Sequence, residues 1–321
     1  MNVHVRVPAT TANLGPGFDL MGMAVDLYNE VFLKETDGGL HITVEGEGAE
    51  TIPLDESNLV YQVAHRLFRE VGYTPRGLSF HLKNDIPVTR GLGSSSAAVV
   101  GGLAAANRLC GDPLSLLELL AIAADIEGHP DNVAPALFGG VVLTTEAKGR
   151  LHTVRLDPPP ELAMVAAIPE FELPTALSRE VLPSLVPRQD AIFNAAHVAL
   201  MTAALMRGDL EQFSAALADR LHQPYRSPLI PGMPDVIAAA DRAGALGTVL
   251  SGAGPTMIAF TEGPCLRVGQ EMQRAFAAHG VDSVIRVLLP DREGVAYQGK
   301  ELISTQQDRK QDTQQEIVCH D

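Results

Sequence analysis

Four short segments carry residue types able to do chemistry, and each is set in apolar surroundings. The densest is Pro87, Val88, Thr89, Arg90, Gly91, Leu92, Gly93, Ser94, Ser95, Ser96 and Ala97. Glycines let backbone approach a ligand closely, and a helix start offers unpaired N–H groups at the positive end of its dipole. The small-residue stretch 97–109 reads as that helix, with three hydroxyls at its start. Backbone donors, dipole and hydroxyls together suit a polyphosphate with its Mg²⁺. Taken alone, the loop reads first as an ordinary glycine turn with a serine N-cap. Residues 8–19 crowd turn formers around an amide, Asn13, and a carboxylate, Asp19; so many turn formers after a strand favour a loop that shapes a site over a plain surface turn. Glu127-Gly128-His129-Pro130-Asp131-Asn132 ends a long helical pattern. Glu127 can complete a Mg²⁺ site, because Mg²⁺ takes one or two protein oxygens beside phosphates and water. A lone histidine such as His129 is more often structural than catalytic. Residues 251–256 form a second glycine-rich loop, which by itself reads as a hairpin turn.

Other chemistries are excluded by missing pieces. There is no Gly-x-x-x-x-Gly-Lys followed by Ser or Thr, and no Gly-x-Ser-x-Gly elbow. Gly91-Leu92-Gly93 lacks the third glycine of a dinucleotide fingerprint. Cys110, Cys265 and Cys319 are odd in number and have no metal spacing, which points to a reducing cytoplasm without a disulfide framework. The 24 basic and 39 acidic residues leave a net charge of −15. That argues against nucleic acid and against an anionic membrane surface as partners. An anionic substrate then needs locally placed arginines. No apolar run reaches membrane-spanning length, and residues 2–7 alternate like a strand rather than a signal peptide.

The elements that must position these segments follow from periodicity. With 321 residues, 46% hydrophobic, the chain has material for two domains or one large one. Strands are expected over 3–7, 26–34 and 41–45, with a turn at 37–39. Ser57 is expected to cap a helix whose Leu59, Val60, Val63, Ala64, Leu67, Phe68 and Val71 follow the 3.6 period. A strand over 78–82 leads into the serine loop and the helix 97–109. A helix over 114–127 follows, with Pro113 just outside its start, then a strand over 141–145. Pro158-Pro159-Pro160 breaks the pattern and divides residues 1–157 from 158–297. Beyond it come a strand over 162–167, helices over 191–206, 210–221 and 234–243, and strands over 246–250 and 256–260. A helix over 266–279 and a strand over 283–289 close the pattern. Residues 298–321 are polar and aperiodic and read as a disordered tail. Interleaved helices with adjoining short strands make the class α+β.

Together, the segments at 8–19, 87–97 and 251–256 resemble, in order, the three motifs of the GHMP kinases, over roughly residues 3–290. Three strings are similar to the branch that phosphorylates homoserine. They are Thr10-Thr11-Ala12-Asn13-Leu14-Gly15-Pro16-Gly17-Phe18-Asp19, His129-Pro130-Asp131-Asn132-Val133-Ala134-Pro135 and His222-Gln223-Pro224-Tyr225-Arg226. The resemblance implies a two-domain GHMP kinase fold with the site in the cleft between. Its N-terminal, ATP-binding domain would be like the second domain of ribosomal protein S5, with a left-handed crossover against the usual rule. Its C-terminal domain would be ferredoxin-like.

The resemblance further implies ATP and Mg²⁺, transfer to the hydroxyl of L-homoserine in threonine biosynthesis, and a homodimer. Carried over by position, residues 87–97 hold the triphosphate, Asn58 lies near the adenine, and Ser95 with Glu127 holds Mg²⁺. Asn13, Asp19, His129, Asn132, Arg179 and Arg226 surround homoserine, with Asn132, Arg179 and Glu127 as the catalytic set. An amino acid needs an anion for its ammonium, here Asp19, and arginines for its carboxylate, here Arg179 and Arg226. Asn132 stands where several relatives carry an aspartate base. An amide cannot take a proton, and Asp131, one helical step before it, would point roughly 100° away. Direct transfer without a protein base is therefore expected, since positioning and charge neutralisation supply most of phosphoryl-transfer catalysis. A mevalonate-pathway substrate is the alternative within the family, and would leave Asp19 without an ammonium to meet. A silent ligand sensor is the alternative outside catalysis; the intact serines and Glu127 stand against it.

Overall fold

The computed structural model describes residues 2–263 and 265–298. The expected tail at 298–321 lies outside them apart from Gln298. Strand β1 (Asn2–Ala12) alternates buried Val3, Val5 and Val7 with partly exposed His4 and Arg6, the period of a strand with one covered face. It pairs antiparallel with β2 (Met21–Glu35), from Asn2↔Lys34 to Ala12↔Gly22. Strand β3 (Gly39–Gly46) pairs parallel with β4 (Gly77–Asn84), so helix α1 (Leu59–Glu70) is their crossover. β4 in turn lies antiparallel to β2.

The cap of α1 is Asn58 and not Ser57. Asn58 Oδ1 accepts the N–H groups of Val60 at 2.9 Å and Tyr61 at 3.3 Å. Ser57 turns back instead, its Oγ 2.6 Å from Asp55 Oδ1. Helix α2 (Ser94–Leu109) starts three residues before the expected 97, because Gly93 at φ 70° turns the chain into it. The three serines therefore form its first turn. Helix α3 (Leu116–Glu127) starts two residues later than expected, because Ser115 and Glu118 close a capping box. Helix α4 (Val133–Phe138) and strand β6 (Arg150–Leu156) were not foreseen; the six residues of α4 are too few to show a helical period. β6 pairs with β5 (Val141–Ala147), which pairs with the start of β2.

The second half holds β7 (Ala163–Pro169), α5 (Thr175–Glu180), α6 (Arg188–Arg207), α7 (Leu210–Ala215) and α8 (Gln223–Arg226). It continues with α9 (Met233–Ala243), β8 (Gly247–Leu250), β9 (Met257–Thr261), α10 (Cys265–Ala278) and β10 (Ser283–Leu288). The antiparallel order β10-β7-β9-β8 is the ferredoxin-like one. The helix expected over 210–221 stops at Ala215. Beyond it the Asp219 carboxylate captures the N–H groups of Leu221, His222 and Gln223, which starts the short α8 instead. The chain then returns: β11 (Ala296–Tyr297) pairs with β1, so residues at the end of the second half complete the first sheet.

One core joins the halves. Helix α2 places Val99, Val100 and Leu103 in a cluster with Val5, Val31, Phe80 and Leu82 of the first sheet. Met164, Ile258 and Phe260, from alternate positions of β7 and β9, belong to the same cluster. Their neighbours Val165, Met257 and Ala259 face the other way, into a second cluster with α9 and α10. Each large apolar side chain so buried contributes roughly 1.5–3 kcal/mol, so the cleft between the sheets is set on a stiff base.

Candidate active site

The loops carrying the four segments meet above that base. Thr10 N donates to Leu92 O at 3.1 Å, and Gly252 N to Ala12 O at 3.2 Å. Ser251 Oγ lies 2.6 Å from Gly91 O and 2.9 Å from Thr11 Oγ1. Asn13 Nδ2 donates to Gly252 O at 3.0 Å, while Asn13 Oδ1 accepts Asp19 N at 3.1 Å. This convergence explains two of the glycines. A Cβ on Gly91 would lie 2.5 Å from Ser251 O, and one on Gly93 2.0 Å from Thr10 Oγ1. Both also sit at positive φ, where a side chain is strained. Asn13, Asp19 and Thr89 hold positive φ without being glycine. Such residues cost of order 1–3 kcal/mol each and cluster where geometry serves function.

The loops enclose a cavity of about 400 Å³. Val88, Thr89, Arg90, Gly91 and Gly93 to Ala97 line it, as do Asn13, Asp19, Glu127, His129, Asn132, Arg179 and Arg226. Pro87 and Leu92 do not; Leu92 is buried in the core. Asn58 reaches the wall, but its carboxamide is engaged elsewhere. The oxygen caps α1, and Nδ2 donates to Pro53 O at 2.7 Å. Arg90 is also drawn aside, its Nη2 donating to Glu170 O at 2.8 Å.

At the N-terminus of α2, Ser95 Oγ donates to Glu127 Oε1 at 2.6 Å and Ser96 Oγ to Glu127 Oε2 at 2.8 Å. One carboxylate and two hydroxyls form a hard, all-oxygen donor set beside a positive helix end. No group of three His, Cys, Asp or Glu suited to a metal occurs among the described residues. The set therefore fits Mg²⁺, which keeps phosphate and water oxygens in its shell, and not a metal caged wholly by protein.

The same cavity also gathers charge. Arg179 grips Asp19 with both nitrogens, at 2.7 and 3.0 Å, and Asp19 holds the Arg179 guanidinium up from its ordinary value. Arg226 is only 2% exposed. Its Nε donates to Ser178 O and its Nη1 to Gly252 O, both at 3.0 Å. It has no carboxylate partner among the described residues, and burial, then Arg179, pushes it down to about 10. Phe18 lies beneath both arginines, 5.1 Å from the Arg226 guanidinium carbon and 5.7 Å from that of Arg179. His222 stacks on Phe18 at 5.0 Å and donates from Nε2 to Gly15 O at 2.8 Å. Burial pushes its pKa down, leaving a neutral ring whose Nδ1 accepts from Arg226 Nη1 at 3.3 Å.

Asp131 overturns the helical expectation. Pro130 keeps residues 129–131 out of the helix, which starts at Val133. Asp131 faces the cavity at 3% exposure. Its Oδ1 accepts from His129 Nδ1 at 2.6 Å and from Asn132 Nδ2 at 3.2 Å, and its hydrogen bond raises the His129 pKa. Asn132 Oδ1 in turn accepts the Thr10 hydroxyl at 2.8 Å. A carboxylate only accepts, so both neighbours must turn a nitrogen toward it. The proline was the signal in the sequence that a helical angle did not apply. Ser178, also not foreseen, ties α5 to the site through its Oγ on Ala253 O at 2.9 Å.

Comparison with known proteins gives the family and the fold. Residues 58–140 match the GHMP kinases N terminal domain and residues 201–279 the GHMP kinases C terminal domain. The chain is 49% identical over 290 residues to the homoserine kinase of Moorella thermoacetica, covering 90% of this chain and 98% of that one. It is 47% identical over 303 residues to that of Carboxydothermus hydrogenoformans, covering 93% and 99%. The crystal structure of homoserine kinase from Cytophaga hutchinsonii superposes with a TM-score of 0.85 at 33% identity, covering 92% of this chain and 97% of that one. The mevalonate kinase of L. major, at 16% identity and a TM-score of 0.67 over 89% and 95%, shares the fold.

Proposed function

The chain belongs to the homoserine kinases of the GHMP kinase family, and from that premise we propose that it transfers the γ-phosphoryl group of ATP to the hydroxyl of L-homoserine, giving O-phospho-L-homoserine and ADP. The observation that carries the reading is one cavity lined by two chemically distinct groups of side chains. One group, at the first turn of α2, is Ser95, Ser96 and Glu127; the other is Asp19, Arg179 and Arg226. The first suits a triphosphate, and the second suits a molecule with one anionic and one cationic group.

Arg226 is the first choice for the substrate carboxylate, because it is a buried cation with no anion of its own among the described residues. Arg179 joins it. The substrate ammonium goes to Asp19, which it must share with Arg179. Mevalonate has no ammonium for this position. Glu127 and the hydroxyls of Ser95 and Ser96 would hold Mg²⁺, which when bound offsets charge on the phosphates. The α2 N-terminus and the loop N–H groups at 89–96 receive the phosphate oxygens.

In the transfer, the homoserine oxygen bonds to the γ-phosphorus as the bond to the β–γ bridging oxygen breaks. Asn132 is held by Thr10 and Asp131, which fixes its Nδ2 as the donor end. It orients the hydroxyl and takes no proton. The Asp131 oxygen facing it is already shared by two donors, so the hydroxyl proton passes to a phosphoryl oxygen. The reading is completed by a cytoplasmic homodimer, two domains at 1–157 and 158–297, and a place in threonine biosynthesis. An ADP-release assay with Mg²⁺-ATP and homoserine, mevalonate or galactose tests the core of it. Turnover with mevalonate equal to that with homoserine would sink the substrate assignment, and no turnover with any acceptor would favour the silent sensor.

A further inference from the structure

Among the described residues, helix α6 has one face in use and one face bare. Inward, Asn194 Nδ2 donates to Pro16 O at 3.2 Å and to Asp219 Oδ1 at 2.7 Å, and Met201, Ala204 and Leu205 are buried. Outward, Ile192 is 61% exposed and Met206 70%, and Ala196, Ala199 and Ala203 between them are exposed as well. These five follow one another at steps of four, three, four and three residues. At 3.6 residues per turn they fall within about 40° of one line along the helix. That spacing is the seam of a coiled coil, in which an apolar stripe stays against a partner helix. Leu200, beside the stripe, and Leu185 and Val186, on the approach to the helix, are exposed too. A monomer rarely bares a contiguous apolar patch larger than roughly a few hundred Å². A helix apolar on both faces is ordinarily covered on both.

The order of sizes along the stripe says what covers it. Large, small, small, small, large reads the same in either direction. Two copies related by a two-fold axis at Ala199 set Ile192 against Met206 of the partner subunit at each end. Alanines meet between them, so the two helices can approach closely at the centre. The charges agree with the reversed direction. It brings the exposed Arg188 to the level of Asp209 and Glu211 of the partner subunit. It brings Arg207 to the level of Asp190 of the partner subunit, a carboxylate that Arg220 already touches at 3.3 Å within its own chain. A parallel pair would set Arg188 on Arg188 and Arg207 on Arg207, and would align the two helix dipoles unfavourably.

We infer that this chain pairs with a second copy of itself through the outer face of α6, the two helices antiparallel with Ala199 on the two-fold axis. The inference gives the homodimer proposed above its contact surface, and it holds whatever acceptor the site takes.

The test is sedimentation equilibrium of the full chain at micromolar concentration, where the wild-type chain should show twice the chain mass. Ala199→Glu sets two carboxylates face to face on the axis and should weaken pairing at least about 100-fold. The position is exposed in the single chain, so circular dichroism should show an unchanged fold. Ala199→Cys should give a covalent dimer on mild oxidation, with peptide mapping placing the bond between the two copies of residue 199. Arg188→Glu should weaken the dimer several-fold, and adding Glu211→Arg should restore it. A wild-type monomer would overturn the inference and the homodimer together. A dimer that survives Ala199→Glu would overturn the inference and leave the homodimer standing. In Ala199→Cys, a bond to Cys319 of the same chain would put the C-terminal segment on this face and overturn the pairing.

Discussion

Arg226 is the residue at which the charge argument can fail most clearly. Its side chain lies 2% exposed, its hydrogen bonds among the described residues run to Ser178 O, Gly252 O and His222, and burial holds its pKa down to about 10. A drop of that size corresponds to roughly 3 kcal/mol acting against the charged form. A substrate carboxylate placed against the guanidinium recovers free energy of that order. Arg226→Ala should therefore weaken homoserine binding by about 100-fold, and by no less than about 30-fold. Arg226→Lys should recover only part of this, because an ammonium cannot grip a carboxylate bidentately. The nucleotide should be nearly indifferent, since the phosphate end is built from α2 and Glu127. The assay is a KM for homoserine at saturating ATP, joined to calorimetry with a non-hydrolysable ATP analogue. An unchanged homoserine KM would refute the clamp. A matched loss of nucleotide affinity would place Arg226 on the phosphates, acting through Gly252 in the third motif, and refute the assignment in a different way.

Three further outcomes follow from the same geometry. Glu127→Gln and Ser95→Ala should each lower kcat, the former by on the order of 10²-fold, with homoserine affinity kept; near-normal kcat in Glu127→Gln at low Mg²⁺ would remove Glu127 from the metal site. Asp131→Asn should lower kcat about tenfold or more by loosening both His129 and Asn132, with the KM for ATP and the melting temperature unmoved; a rise in the KM for ATP alone would contradict this. His222 is buried neutral, so its contribution to stability is present above its ordinary pKa and lost as pH falls through its lower folded value. His222→Gln keeps a donor for Gly15 and should flatten the melting temperature between about pH 7 and 5, where the wild-type chain declines; parallel curves would count against it.

What the sequence determined by itself was local. Alternation along β1, the 3.6 period of α1, and a glycine loop opening a small-residue helix are consequences of backbone geometry within a few residues. The family resemblance, carried over by position, grouped Asn13, Asp19, Glu127, His129, Asn132, Arg179 and Arg226, all of which line one cavity. Only the tertiary structure decided how those side chains are spent. Asn58 lines the cavity and also caps α1, because its carboxamide oxygen meets the first free N–H groups of that helix. Asp131 turned into the site, because the turn at Pro130 obeys no helical angle. The links that define the site join Thr10 to Asn132, Asp19 to Arg179 and Asn13 to Gly252, across 122, 160 and 239 positions. Local periodicity carries no information over such separations; the packing of two sheets on one core does.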